Sequence, residues 1–139
     1  MVDSVRRIMT PNPVMLPPEA TIREAAERMR DGGIGDVLIV DDGRLQGIVT
    51  DRDIVVRAVA YGMDPDTAHV DQVWSDDFVT CRPEETVAAA ERRMRERLVR
   101  RVVVVSGGSP VGIITLGDVA IDEDPTSALA EISAADPQT

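Results

Sequence analysis

Displaced by 65 residues, this sequence superimposes on itself without a gap. Residues 8–54 fall on 73–119, and 15 of the 47 aligned pairs are identical, where typical residue frequencies give roughly three. The identities include Val14/Val79, Pro18/Pro83, Thr21/Thr86, Met29/Met94, Gly43/Gly108, Gly47/Gly112, Thr50/Thr115 and Asp53/Asp118. The lead-ins SVRRIMT and HVDQVWS align as well, with Trp74 in the place of Met9. The chain is therefore expected to fold as two copies of one unit. A unit of about 50 residues buries too little apolar surface to be comfortably stable alone. The copies are expected to share a core, with an approximate two-fold axis and two related clefts.

Each copy carries the same local signals. A short extended segment (14–16, 79–81) precedes Pro and Glu, then a helix. Thr21 and Glu24 have capping-box spacing. Ile22, Ala25, Ala26 and Met29 lie on one helical face, as do Val87, Ala90, Met94 and Leu98. Apolar strands follow (37–40, 102–105), then the hairpin pairs Asp42-Gly43 and Gly107-Gly108, then second strands (46–49, 111–114). A further helix opens at Thr50 or Thr115, the first ending near Gly62. The expected fold class is α/β (α+β): tandem βαββα repeats packed sheet to sheet with pseudo-two-fold symmetry. Repeat one spans 5–62, a linker 63–69 and repeat two 70–122. An acidic segment, 123–139, carries one short helix over 125–133 (Thr126, Ala128, Leu129, Ile132) and frays beyond it.

Half of the formal net charge of −10 lies after Ile121, where five acids occur without Lys or Arg. With aromatics at 2%, the chain lacks the basic face and stacking rings of a nucleic-acid platform. No apolar run is long enough to span a membrane, and MVDSVRR lacks a signal peptide's apolar stretch. A cytoplasmic protein is expected. Cys81 is the only cysteine and His69 the only histidine, so neither an intrachain disulfide nor a metal site is expected. Arg28, Arg30, Arg93 and Arg95 are expected in solvent.

The chemistry-bearing motif is Gly-x-x-Thr-x-x-Asp at the strand-to-helix junction, as Gly47-Ile-Val-Thr50-Asp51-Arg52-Asp53 and Gly112-Ile-Ile-Thr115-Leu116-Gly117-Asp118. A helix N-terminus offers unpaired N–H groups and partial positive charge to a phosphate. A Thr hydroxyl there donates to an oxyanion, and a carboxylate one turn later accepts from a ribose diol. Gly permits close backbone approach. The same residues also make an ordinary helix start, with Thr at the N-cap and Asp at N3, and duplication copies caps too.

The βαββα pair carrying this motif resembles the CBS-domain pair, or Bateman module, over roughly residues 5–122. It is most similar to small stand-alone bacterial CBS-pair proteins. The segments that carry the resemblance are IMTPNPVMLPPEATIREAAERM and IGDVLIVDDGRLQGIVTDRDI with their second-copy equivalents. One departure is the absence of a frequent Pro in the middle strand, where Leu38 and Val103 stand. The resemblance implies an adenosine-containing ligand (AMP, ADP, ATP or S-adenosylmethionine) in the clefts, with no required cofactor. It assigns Asp to the ribose and Thr to phosphate. One site then contains Thr115, Asp118, Arg100 and Arg101 with Thr10, Met15 and Ile34. The other contains Thr50, Asp53, Gly35 and Asp36 with Ser75, Thr80 and Val99, and Arg52 as a partial charge compensator. Arg100-Arg101 stands where copy one has Gly35-Asp36. Two guanidiniums favour phosphate and an Asp repels it, so the Arg100/Arg101 site is the preferred one. The bland alternatives are a solvated Arg pair, and ordinary core for Met15 and Ile34.

A ligand-sensing regulatory module is the leading reading, acting through an effector protein not identified by the sequence, or through a homodimer. The resemblance places dimer contacts on the helix after the motif, where Val55, Val56, Val59 and Ala60 form an apolar side. The alternative is an interaction homodimer with vestigial clefts. Enzymatic activity is not expected: there is no nucleophile–base pair, metal cluster or P-loop.

Overall fold

The computed structural model describes residues 3–135. The chain opens with a helical turn, α1 (Val5–Ile8), and a short strand, β1 (Thr10–Pro11). Then come β2 (Met15–Leu16), α2 (Ile22–Gly32), β3 (Asp36–Asp41), β4 (Arg44–Thr50) and α3 (Asp51–Asp53). π-Helical turns continue α3 over Ile54–Val59, and a 3-10 turn follows at Val70–Gln72. The rest is β5 (Thr80–Cys81), α4 (Val87–Arg97), β6 (Arg101–Ser106), β7 (Ser109–Thr115), α5 (Leu116–Glu123) and α6 (Ala128–Ala134).

Two compact units form, and they cut across the sequence repeats. One is residues 14–78; the other joins residues 3–13 to 79–135. Each repeat's lead-in thus folds with the body of the other repeat. The exchange is reciprocal to the residue. Val5 N–H donates to Glu85 O at 2.8 Å, and Val70 N–H donates to Ala20 O at 2.8 Å. Ser4 bridges Thr86 as His69 bridges Thr21. Val5 and Val70 are both fully buried.

In the 14–78 unit the sheet order is β2-β3-β4, with β2 parallel and β4 antiparallel to β3. Ser75 adds an antiparallel bridge to Ile48. In the other unit the order is β1-β7-β6-β5, where β1 extends the sheet as Ser75 does in the first. Both hairpins turn on residues of positive φ: Asp42 (52°) with Gly43 (75°), and Gly107 (62°) with Gly108 (86°). These turns match the strands' right-handed twist.

Each unit has its own buried cluster. Ile22, Met29, Val37, Ile39, Val49 and Val73 are central to one, and Val5, Val87, Met94, Val102, Val104 and Ile114 to the other. Leu38 and Val103, at the departed strand position, are fully buried outside both clusters.

Several local expectations are corrected. Thr21 Oγ accepts from Glu24 N–H at 3.1 Å, but Glu24 does not return the second bond of a box. Ala26 is exposed on α2. Leu98 is 90% exposed, because it ends α4 in the left-handed region (φ 54°), where copy one uses Gly33 (φ 61°). Arg93 is half-buried: it pairs with Glu85 and donates to Thr80 O at 2.9 Å. The last helix starts at Ala128, after the Ser127 cap. It buries Ala130 and leaves Leu129 and Ile132 exposed. The expected fraying falls partly on residues 136–139, outside the described residues.

Cys81 is buried on β5. Burial, with Glu85 nearby, pushes its thiol up to about 11. The thiolate is the nucleophile, so the native protein is expected to resist iodoacetamide at pH 8 and react once unfolded. Native alkylation as fast as that of free cysteine contradicts this burial.

Candidate functional site

In the 79–135 unit, strand register fixes the positions of five of the sequence-derived site residues. Arg101 pairs with Thr115 across β6 and β7, and Thr10 pairs with Ile113 across β1 and β7. Leu116 N–H donates to Arg100 O at 2.8 Å. Thr115 Oγ accepts from Asp118 N–H at 3.1 Å, and Asp118 Oδ2 accepts from Thr115 N–H at 2.8 Å. Thr10, Arg100, Arg101, Thr115 and Asp118 thus gather at the start of α5. The folded-back lead-in supplies Thr10. Asp118 also lines an open recess of about 330 Å³ with Arg7, Ile8, Ile121 and Asp122.

The capping box and a ligand role use different atoms. The cap takes one lone pair of the Thr115 hydroxyl and one oxygen of Asp118. The hydroxyl proton and Asp118 Oδ1 stay available. Of the three first-turn donors, Leu116 N–H goes to Arg100 O and Asp118 N–H to Thr115. Gly117 N–H has no acceptor among the described residues.

The 14–78 unit repeats the scaffold with opposite charge. Asp36 pairs with Thr50, Asp51 N–H donates to Gly35 O at 3.0 Å, and Thr50 and Asp53 form the same capping box. Here the first turn is satisfied internally. Arg52 N–H, the counterpart of Gly117 N–H, donates to Asp51 Oδ1 at 2.8 Å. Asp53 Oδ1 lies 3.9 Å from Arg57 Nε, an ion pair that sequence inspection missed although the i,i+4 spacing signals it. The motif and its strand partner thus carry three acids in copy one, Asp36, Asp51 and Asp53, beside Arg52. In copy two Arg100 and Arg101 accompany the single acid Asp118. Arg52 is exposed. A Cβ on Gly35 would stand 3.2 Å from Asp51 Oδ2, a tight contact that the carboxylate relieves by moving a few tenths of an ångström.

The motif glycines make room for the exchanged lead-ins. A Cβ on Gly112 would sit 2.6 Å from Met9 Sδ and 3.0 Å from Thr10 O. A Cβ on Gly47 would sit 2.9 Å from the Trp74 ring and 3.1 Å from Ser75 O. Met9 and Trp74 therefore do the same packing task in the two units.

The remaining site residues are divided between the units. Met15 (44% exposed) and Ile34 (36%) belong to the 14–78 unit with Gly35, Asp36, Thr50, Arg52, Asp53 and Ser75. Neither is ordinary core. Thr80 is exposed on β5, and Val99 is half-buried against the core of the other unit.

The family model for the CBS domain matches residues 5–59 and 73–121. The chain is 36% identical over 136 residues to CBS domain-containing protein YhcV of Bacillus subtilis, covering 95% of this chain and 96% of that one. The crystal structure of Hypoxic Response Protein I with two coordinated zinc ions superposes with a TM-score of 0.75 at 36% identity. It covers 84% of this chain and 96% of that one. The hexameric CBS-CP12 protein of bloom-forming cyanobacteria superposes with a TM-score of 0.76 at 30% identity, covering 90% of this chain and 74% of that one. The zinc is a property of that relative. Among the described residues here, no group of three or more His, Cys, Asp or Glu is placed to hold a metal ion.

Proposed function

Because the chain belongs to the CBS-domain family, whose members are generally regulatory and non-catalytic modules, we propose that it senses an adenosine-containing ligand of the AMP, ADP or ATP type. The preferred site is built on Thr115, Asp118, Arg100, Arg101 and Thr10. The Thr115 hydroxyl, Gly117 N–H and the two guanidiniums receive phosphate. Asp118 Oδ1 receives the ribose diol. Met15 and Ile34 are the residues that the family resemblance offers to the base. The carrying observation is the inverted charge at symmetric positions: Arg101 opposite Thr115, Asp36 opposite Thr50. The motif of the 14–78 unit, with Asp53 beside Arg57 and its first turn closed, is the weaker site.

Output then runs through protein contacts. Val55, Val56 and Val59 are exposed beside Tyr61, an apolar face suited to self-association in a family that includes a hexamer.

A thermal-shift series with AMP, ADP, ATP and S-adenosylmethionine tests the reading. At a hundredfold excess over the dissociation constant, binding stabilises by about 2.7 kcal/mol, a rise of several degrees. No shift with any of the four at millimolar concentration overturns it. The Thr–Asp pairs are then helix caps only, and the chain is an interaction module.

A further inference from the structure

We propose that the exposed Val55–Tyr61 face of one chain docks on the outer side of helix α6 of a second copy of this chain. This contact rests on the self-association reading of that face and supplies its other half.

The two repeats end differently. By the 65-residue offset, residues 63–69 correspond to 128–134. The first stretch leads into the second lead-in and is held at the start of α2. There Arg23 N–H donates to Pro65 O and Ile22 N–H to Ala68 O, both at 3.0 Å. The second stretch has no such duty. It folds as α6 on α5, with Ala130 buried and Ser133 against Gly117, where a Cβ would lie 2.7 Å from Ser133 Cβ. Gly117 and Ala120, one turn apart on α5, correspond to Arg52 and Val55. The helix after the motif therefore accepts a second helix in one unit, and connectivity denies the other unit the same cover. Val55, Val56, Val59 (67%) and Tyr61 (80%) are left exposed there. Four large apolar side chains within one short segment form a patch, unlike the single exposed residues normal on a surface.

Helix α6 carries a matching surface. Leu129 and Ile132 (73%) are exposed on it, with Glu131 beside them. Charge favours this pairing over either face meeting itself. Residues 54–63 contain Arg57 and no acid, and the exposed Arg52 guanidinium has no partner among the described residues. Asp51 and Asp53, ahead of the valines, accept from the Arg52 and Thr50 N–H groups. After Ile121 there is no Lys or Arg, and the Glu131 carboxylate has no partner among the described residues. Like charges set together at a contact are repelled, and opposite charges fix the partner. Helix α6 also gains from a second contact. Seven residues do not sustain a helix alone, and of α6 only Ala130 is buried. The contact joins two different surfaces of the same chain, so it is heterologous.

Sedimentation equilibrium of the intact chain and of variants at exposed positions tests the contact, with thermal melting as the control for folding. The intact chain is expected to self-associate at tens of micromolar. Val59→Asp and Ile132→Asp are each expected to weaken association at least tenfold, about 1.4 kcal/mol. Arg52→Glu and Glu131→Arg are each expected to weaken it severalfold, and the two together in one chain to restore it. Loss with Val59→Asp while Ile132→Asp leaves the constant unchanged within twofold overturns α6 as the docking surface and leaves the self-association reading standing. A double charge swap no stronger than either single one overturns it too. A monomeric intact chain at these concentrations overturns both, as does association that neither aspartate changes.

Discussion

A chain lacking residues 1–11 is expected to lose the fold of the 79–135 unit, while residues 14–78 keep their amide protection. The segment supplies Val5, fully buried, and the half-buried Ile8 and Met9 that pack on the same cluster. It also gives β7 its edge partner and supplies Arg7, which pairs with Asp3 and with Asp122 on α5. Backbone bonds join it to the unit at Val5 N–H to Glu85 O and Arg6 N–H to Pro83 O. Burial of one Val contributes roughly 2 kcal/mol and each backbone bond about 1 kcal/mol. The loss is comparable with the whole stability of a small domain. Hydrogen exchange mapped on α4 and β6 reads the result. Protection there equal to that of the intact chain contradicts the exchanged-segment architecture.

Asp118→Ala is expected to raise the dissociation constant for AMP about a hundredfold, and Asp53→Ala less than threefold. A diol loses two charge-assisted hydrogen bonds at Asp118, and a hundredfold corresponds to about 2.7 kcal/mol. Asp53 is engaged by Arg57 and surrounded by acids, so its removal costs the ligand little. Each substitution breaks the capping box of its own unit, at about 1 kcal/mol. Melting without ligand therefore falls equally and serves as the internal control. Equal losses of affinity from the two substitutions sink the asymmetry between the sites.

Much of this was readable along the chain because it is local or periodic. The hairpin turns at Asp42-Gly43 and Gly107-Gly108, the caps at Thr50 and Thr115, and the alternation of strands and helices follow from short-range sterics and hydrogen bonding. The charge difference at Arg100-Arg101 needed only the repeat alignment. Leu98 defeated the periodicity because the helix ends on it in a left-handed turn, where the side chain leaves the apolar face. Arg93 was assigned to solvent because its partners Thr80 and Glu85 come from outside its helix. On α6, Ala130 is buried rather than Leu129 or Ile132, and Ser133 of the same helix packs on Gly117 of α5, a long-range contact that the helical pattern does not signal.

The sequence alone determined that there are two equivalent units with a Thr–Asp pair at each second helix, because a gapless repeat copies every local preference. Only the tertiary structure decided which segments complete which unit. Each lead-in has an extended, partly apolar pattern compatible with either sheet edge. The choice depends on space: Gly112 admits Met9 and Gly47 admits Trp74. That fit sets Thr10 opposite Ile113, two residues before Thr115, and the fit of Ser133 against Gly117 brings α6 to the start of α5. Both are contacts between residues far apart in the chain, which no local signal encodes.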